Sequence, residues 1–298
     1  MSALAERISA KSAVAVHPAI AEFAARLAIE AGALAVLFYG SNLRTGLLEG
    51  VLDYYVLLPG EEQEKIWPRV SYREWDNQGE TLRAKIATMS LAQFAKAASG
   101  QSRDTTIWAR FVQPSALVWA RDRDATAQTL DALGDAAKTA ARLAAALGPP
   151  SGTADDYWRA LFRATYKAEF RVEKAGREDS ILSVNVAHFD GLLPLALDAQ
   201  GIAFDEAGGR LTLKLTDSAR RETLSWWSRR QRLGRPLNIL RLLKASTTFD
   251  GAARYAAWKV QRHTGVPIEV TPWREKHPVL AAPGVLFKVW REQKKQRS

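Results

Sequence analysis

Two short apolar runs, residues 34–39 (LAVLFY) and 51–58 (VLDYYVLL), stand eleven residues apart, and the gap between them opens on Gly40-Ser41-Asn42. Runs of this length, rich in β-branched and aromatic residues and closed by Pro59-Gly60, read as buried strands. Gly-Ser-Asn is a turn signal, and Leu43 to Glu49 suits a short helix. Strand, turn, helix and strand in so few residues commit this part of the chain to a layered α/β unit.

The flanking sequence extends that unit. Phe23, Leu27 and Ala31 alternate with Glu22, Arg26 and Glu30 at helical spacing, and Gly32 ends the helix. Leu82 to Met89 predicts a third strand with Arg83 and Lys85 on one face, and Ser90 caps a helix through Ala98. Ser115 to Trp119 reads as a fourth strand, and Ala125 to Leu147 as a long alanine-rich helix. Gly148-Pro149-Pro150-Ser151-Gly152 is the strongest linker signal, so the division falls into domains 1–150 and 151–298. Beyond it, 155–174 and 180–199 read as helices and 202–215 as a hairpin around Gly208-Gly209. The remainder reads as helical, with loops at Gly234-Arg235-Pro236 and 264–272. The fold class expected is an α/β (α+β) nucleotidyltransferase domain with a mixed sheet, followed by a mainly helical second domain.

The nucleotidyltransferase expectation rests on Phe38-Tyr39-Gly40-Ser41 and, after eleven intervening residues, Asp53 inside the next strand. A glycine lets backbone approach a triphosphate, and a serine hydroxyl with nearby amides binds its oxygens. A carboxylate on the adjacent strand then holds magnesium against them. Polymerase-beta-like nucleotidyltransferases carry a second acid two residues after the first. Here that position is Tyr55, and Glu74, Asp76 and Glu80 are the candidates for a replacement. Arg44, just past the turn, is a further candidate phosphate ligand.

Tyr39-Gly40-Ser41, Leu52-Asp53-Tyr54-Tyr55-Val56, Lys85-Ile86-Ala87-Thr88 and Ala109-Arg110-Phe111-Val112-Gln113-Pro114 follow one another in an order that resembles the mitochondrial translocator assembly and maintenance family of CDP-diacylglycerol synthases. Ala164 to Val172, with Tyr166, Glu169 and Arg171, is similar to a further segment of that family, and the likeness covers roughly residues 30–190 as short motifs. The resemblance implies conversion of CTP and phosphatidate to CDP-diacylglycerol and pyrophosphate with Mg²⁺ as cofactor. It places Asp53 and Lys85 in the catalytic set, with Asp53 holding the metal. Tyr39, Gly40, Ser41, Arg44 and Arg110 then bind nucleotide, and Glu169 and Arg171 complete the pocket.

Charge is segregated. Residues 220–298 hold 18 Lys and Arg against 5 Asp and Glu, whereas the first 219 hold 24 against 27. That points to an anionic partner. Trp226, Trp227, Trp258, Trp273 and Trp290 are interleaved with Arg229, Arg230, Lys259, Arg274 and Arg291, a pattern suited to an anionic phospholipid surface, with about half of these tryptophans expected in a helical core. Nucleic acid is the less favoured partner. No apolar run reaches the ~18–20 residues of a membrane span. No secretory signal is read, and the chain has no cysteine, so a cytoplasmic protein peripheral to the inner membrane face is expected. The four histidines lack zinc-ligand spacing, and His188 beside Asp190 suits a polar core pair. Two other readings stay open: a soluble nucleotidyltransferase acting on RNA or protein, and a non-catalytic nucleotide- or lipid-binding relative.

Overall fold

The computed structural model describes residues 2–61, 68–168, 177–248 and 250–276, with positions 281, 283, 284, 287 and 290–292 beyond them. Helix α1 (Ala3–Ser12) is capped by the Ser2 hydroxyl, which accepts from the Ala5 amide. Helix α2 (Pro18–Ala31) ends at Gly32, whose φ of 61° is the left-handed conformation a helix stop favours. Then follow β1 (Ala35–Tyr39), α3 (Ser41–Thr45), β2 (Leu52–Leu58), β3 (Arg69–Asn77), β4 (Glu80–Ser90), α4 (Leu91–Ala98), α5 (Thr106–Phe111), β5 (Ser115–Ala120) and α6 (Arg123–Leu147).

The strands form one mixed sheet in the order β3-β4-β2-β1-β5, with β2 and β4 parallel and the other neighbours antiparallel. Alternation sorts the side chains onto its two faces. Val36, Phe38, Leu52, Tyr54, Val56, Leu82, Ala84 and Ile86 pack with Ile20, Phe23, Ala24 and Leu27 of α2. Leu37, Tyr55, Leu57, Ala87 and Met89 belong to the core shared with α4, α5 and α6. Each fully buried large apolar side chain contributes ~1.5–3 kcal/mol, so the two faces hold the sheet from both sides.

Strand β3 was not expected from the sequence. Its charged residues Arg69, Arg73, Glu74 and Asp76 obscure the strand pattern, as befits an edge strand. It joins β4 through Gln78 and Gly79, both at positive φ (55° and 87°), the conformation of a two-residue hairpin turn. Helix α3 begins at Ser41, two residues earlier than expected, and ends at Thr45.

The expected linker is packed. Ser151–Gly152 forms a short strand, β6, and is followed by α7 (Ala154–Ala168). A Cβ on Gly148 would lie 2.3 Å from the Tyr157 ring, and the Tyr157 hydroxyl donates to the Leu211 carbonyl at 3.0 Å. The expected helix over 180–199 is broken into α8 (Arg177–Val184), α9 (Val186–Phe189) and α10 (Leu192–Asp198). The hairpin forms as expected, from β7 (Phe204–Ala207) and β8 (Arg210–Leu213), and β8 also pairs with β6. A single buried cluster runs from Leu4 to Trp227, so side chains from both sides of position 150 share one core.

Helix α11 (Asp217–Thr248) continues through Gly234-Arg235-Pro236, where a loop was expected. Gly234 answers a close approach: a Cβ there would lie 2.5 Å from the Ala168 carbonyl oxygen. Helix α12 (Ala252–Thr264) and the short α13 (Pro272–Lys276) follow. Trp227 is buried and Trp226 half-buried, both against Trp108 at 6.1 and 6.0 Å between ring centroids, while Trp273 and Trp290 are exposed. The expected membrane-facing set therefore divides, with Trp226, Trp227 and Arg230 turned into the core.

Arg230 is only 8% exposed, and its guanidinium donates to the carbonyls of Gly100 (2.6 Å), Ser102 (3.0 Å) and Trp226 (3.2 Å) while lying 4.1 Å over the Trp226 ring. Burial, reinforced by Arg142, Arg229 and Arg103, lowers its pKa to about 10, so it remains charged at neutral pH. Arg230→Ala strands these acceptors and empties the space over the indole. It is expected to cost about 2–4 kcal/mol, read as a lower urea midpoint. Among the described residues no single helix is long and apolar enough to cross a membrane. The bent pair Glu178–Val184 and Val186–Asp198 is apolar enough together, but Ile181, Leu182, Phe189, Leu192, Leu193 and Leu197 are buried in the core.

Candidate active site

Strand register brings the site together. Ser115, Tyr39, Asp53, Lys85 and Tyr72 are successive partners across β5, β1, β2, β4 and β3, one row running the full width of the sheet. Partners in a row share a face. This row lies on the face of Leu37, Tyr55 and Ala87, beyond the end of the packed core.

Gly40 follows Tyr39 with φ 92° and ψ −164°, a conformation open to glycine. A Cβ at this position would sit 2.9 Å from Asp53 Oδ2, so the turn backbone runs directly against the carboxylate. Asn42, 7% exposed, donates from Nδ2 to the carbonyls of Leu47 and Glu49, each at 2.8 Å, and so holds the loop between α3 and β2. Arg110 of α5 donates to the Tyr39 hydroxyl at 3.0 Å and lies 5.2 Å over its ring. Tyr39, Gly40, Ser41, Arg44, Asp53, Lys85 and Arg110 thus all line one cleft of about 610 Å³. Glu169 and Arg171 lie outside the described residues.

Several wall residues had no sequence signal. Lys11 and Val14 come from the N-terminal segment, and Ser180, Ile181 and residues 184–188, from α8 to α9, form the opposite wall; Tyr166 of α7, from the segment that carries the resemblance, also lines the cleft. That wall is fixed by Arg7, which donates to the carbonyls of Ala187 (3.2 Å) and Asp190 (2.6 Å). His188 does not pair with Asp190. Its Nε2 lies 2.8 Å from the Val112 carbonyl, and burial pushes its pKa down to about 4, so it is neutral and occupied as a donor. These contacts are far apart in sequence, which is why no local pattern shows them.

Charge in the cleft is one-sided. Among the described residues Lys11, Arg44, Lys85 and Arg110 share the lining with a single carboxylate, Asp53, and Lys11 and Arg44 have no carboxylate partner. Burial raises the pKa of Asp53, while Lys85 and then Arg110 pull it back down. This arrangement suits a ligand that brings several negative charges and itself contributes metal-binding oxygens.

Tyr55 is 2% exposed and packs against Tyr39, Phe94 and Phe111 at 5.9, 6.1 and 5.1 Å between centroids, so it is a core residue. The expected replacements for a second acid are engaged elsewhere. Glu74 accepts from the Tyr72 hydroxyl at 2.8 Å and pairs with Arg83 at 3.4 Å, Asp76 accepts from the Gly79 amide, and Glu80 lies exposed beside the hairpin turn. None of the three lines the cleft. No group of three or more His, Cys, Asp or Glu able to hold a metal occurs among the described residues. Magnesium characteristically binds through one or two carboxylates plus substrate phosphates. The donor set of Asp53 and the Ser41 hydroxyl therefore fits a cation that arrives with phosphate oxygens.

No family model matches this chain, and no curated protein matches it.

Proposed function

We propose that this chain is a magnesium-dependent nucleotidyltransferase that transfers the cytidylyl group of CTP to phosphatidate or a related phospholipid at the inner membrane face, releasing pyrophosphate. The observation that carries the reading is the placing of Asp53 against Gly40, with Lys85 and Arg110 beside it, in a cleft whose described lining holds four cations and one carboxylate. Such a cleft is suited to a triphosphate, and its volume falls within the usual range of ~300–1,000 Å³ for small-molecule sites. Arg44 and Lys11 supply charge for the outer phosphates, and Lys85 and Arg110 bracket the reacting phosphorus. Asp53 and the Ser41 hydroxyl would hold magnesium, which would supply neutralisation of the charge that builds on the departing pyrophosphate.

The choice of acceptor follows from what lines the cleft. Beyond Asp53, the described lining offers His188 as its conventional general base, and that ring is bound to Val112. A hydroxyl of RNA or protein must lose a proton as it attacks. A phosphomonoester is already ionised at neutral pH, so its oxygen attacks the α-phosphorus, the bond to the β-phosphate oxygen breaks, and no proton need be taken up. A lipid phosphate therefore makes no call on a general base, whereas an RNA or protein hydroxyl would need one. The preference for CTP, and the diacylglycerol carried by the acceptor, come from the family resemblance.

The test is pyrophosphate release by the purified protein with Mg²⁺, each ribonucleoside triphosphate in turn, and phosphatidate vesicles present or absent. Release with CTP that requires phosphatidate is expected. Release driven by RNA or protein instead would overturn the lipid reading. The core position of Tyr55, where a second acid is usual, favours one second reading, a nucleotide-binding protein without turnover, and saturable binding of CTP with Mg²⁺ but no release under any condition is its signature.

A further inference from the structure

The row that carries Asp53 and Lys85 continues to Tyr72 on the edge strand, and there it meets α12. The Tyr72 and Tyr255 rings are 5.5 Å apart, and Tyr255 stacks on Trp258 at 6.3 Å with an interplanar angle of 25°. Trp258, half-buried, has Arg83 of β4 at 5.7 Å from its ring and Arg262 at 5.3 Å. Arg262 Nη1 lies 3.3 Å from the position a Cβ on Gly50 would take, at the entrance to β2 three residues before Asp53. Helix α12 therefore lies beside Tyr72 of β3, Arg83 of β4 and the start of β2. The Tyr255 phenol is raised by burial and also by the charge of Asp53, which agrees with that proximity.

Resting on the nucleotidyltransferase reading, we infer that α12 forms the acceptor side of the site, where Trp258, Lys259 and Arg262 meet the anionic headgroups of a phospholipid membrane. In-line transfer needs the nucleophile to enter opposite the leaving group, so the two substrates occupy different sides of Asp53. The cleft toward α8 and α9 accommodates the nucleotide, and no α12 residue lines it. Arg254, Trp258 and Arg262 follow at i, i+4 and i+8, one stripe along the helix. Arg254 is paired with Glu275 at 2.9 Å and Arg83 with Glu74, whereas Lys259 and Arg262 have no carboxylate partner among the described residues. The Arg254–Glu275 pair also ties α12 to α13, whose Trp273 is 55% exposed. Indole rings and unpaired cations on one side of a molecule are the chemistry of the headgroup layer.

The experiment compares the full-length protein with the double variant Lys259→Gln, Arg262→Gln, using phosphatidylcholine vesicles containing phosphatidate in a sedimentation assay. CTP binding in the presence of Mg²⁺ is measured in parallel. Loss of two cations near an anionic leaflet is expected to weaken vesicle binding about 30-fold, with CTP affinity and melting temperature unchanged. A control that removes two exposed cations elsewhere, Arg121→Gln with Lys214→Gln, is expected to retain vesicle binding. Unchanged vesicle binding in the α12 variant, an equal loss in the control, a loss of CTP affinity, or wild-type binding to single-stranded RNA but not to vesicles would each overturn the assignment. The two proposals fail separately. If pyrophosphate release is absent but the vesicle effect is found, the membrane surface on α12 stands and the activity does not. Release without a vesicle effect leaves the activity standing and removes α12 from it.

Discussion

Tyr55→Asp is expected to destabilise the protein severely without supplying a second metal ligand. By spacing alone, aspartate at 55 restores the paired acids usual in nucleotidyltransferases. The packing says otherwise, because Tyr55 is 2% exposed among Tyr39, Phe94 and Phe111. Removing a buried aromatic side chain costs about 3–5 kcal/mol, and a carboxylate left in that apolar space adds desolvation to the loss. Together these approach the whole stability of a typical domain, about 5–15 kcal/mol. The expected result is a sharply lower denaturant midpoint, or failure to fold, with Tyr55→Phe, which keeps the ring, losing much less in a parallel urea titration. A folded, more active Tyr55→Asp enzyme would show that the ring cluster is not the constraint described above.

Asp53→Asn is expected to separate activity from stability. Substitution by the amide preserves shape and removes the charge that, on the proposed reading, would hold the cation, so the proposed transfer is expected to fall on the order of 10²–10³-fold. Stability moves the other way. Burial holds the folded-state pKa of Asp53 above its unfolded value, with Lys85 and Arg110 only partly offsetting it. The folded protein therefore binds this proton more tightly than the unfolded chain. The ionised carboxylate costs stability above the folded pKa, and that cost disappears as pH falls through it. At neutral pH the amide avoids the cost and raises Tm, by roughly 2–4 °C for each 1 kcal/mol recovered. Calorimetry of the two proteins across pH, beside the pyrophosphate assay, checks both: a lower Tm for Asp53→Asn at neutral pH would contradict the desolvation argument.

Much of the sheet is legible locally because its strands carry their own signals. LAVLFY and VLDYYVLL are apolar on both faces and bounded by turn residues, and they form β1 and β2 within a residue of the expected limits. The long alanine-rich helix and the hairpin at Gly208-Gly209 are equally plain. Edge strand β3 is not, since one of its turn positions is Gln78 rather than the more usual Asn or Gly, and charges interrupt its alternation. Gly148 and Gly234 mislead for a common reason. Glycine signals flexibility when read alone, but here each makes room for a neighbour from a distant segment, Tyr157 and Ala168 respectively. The candidate site divides along the same line. Tyr39, the Gly40 turn and Asp53 are readable because they are close in sequence, while Lys11, Arg7 and the 180–188 wall enter through contacts spanning much of the chain.

The core shared from Leu4 to Trp227 has a mechanical consequence for the cleft. Both jaws are anchored in the same packed interior, and well-packed interiors resist compression and sliding. Their gap is therefore set by folding itself. A ligand held between them meets a gauge fixed by that packing instead of a closing hinge, and its binding energy stabilises the shared core as one body.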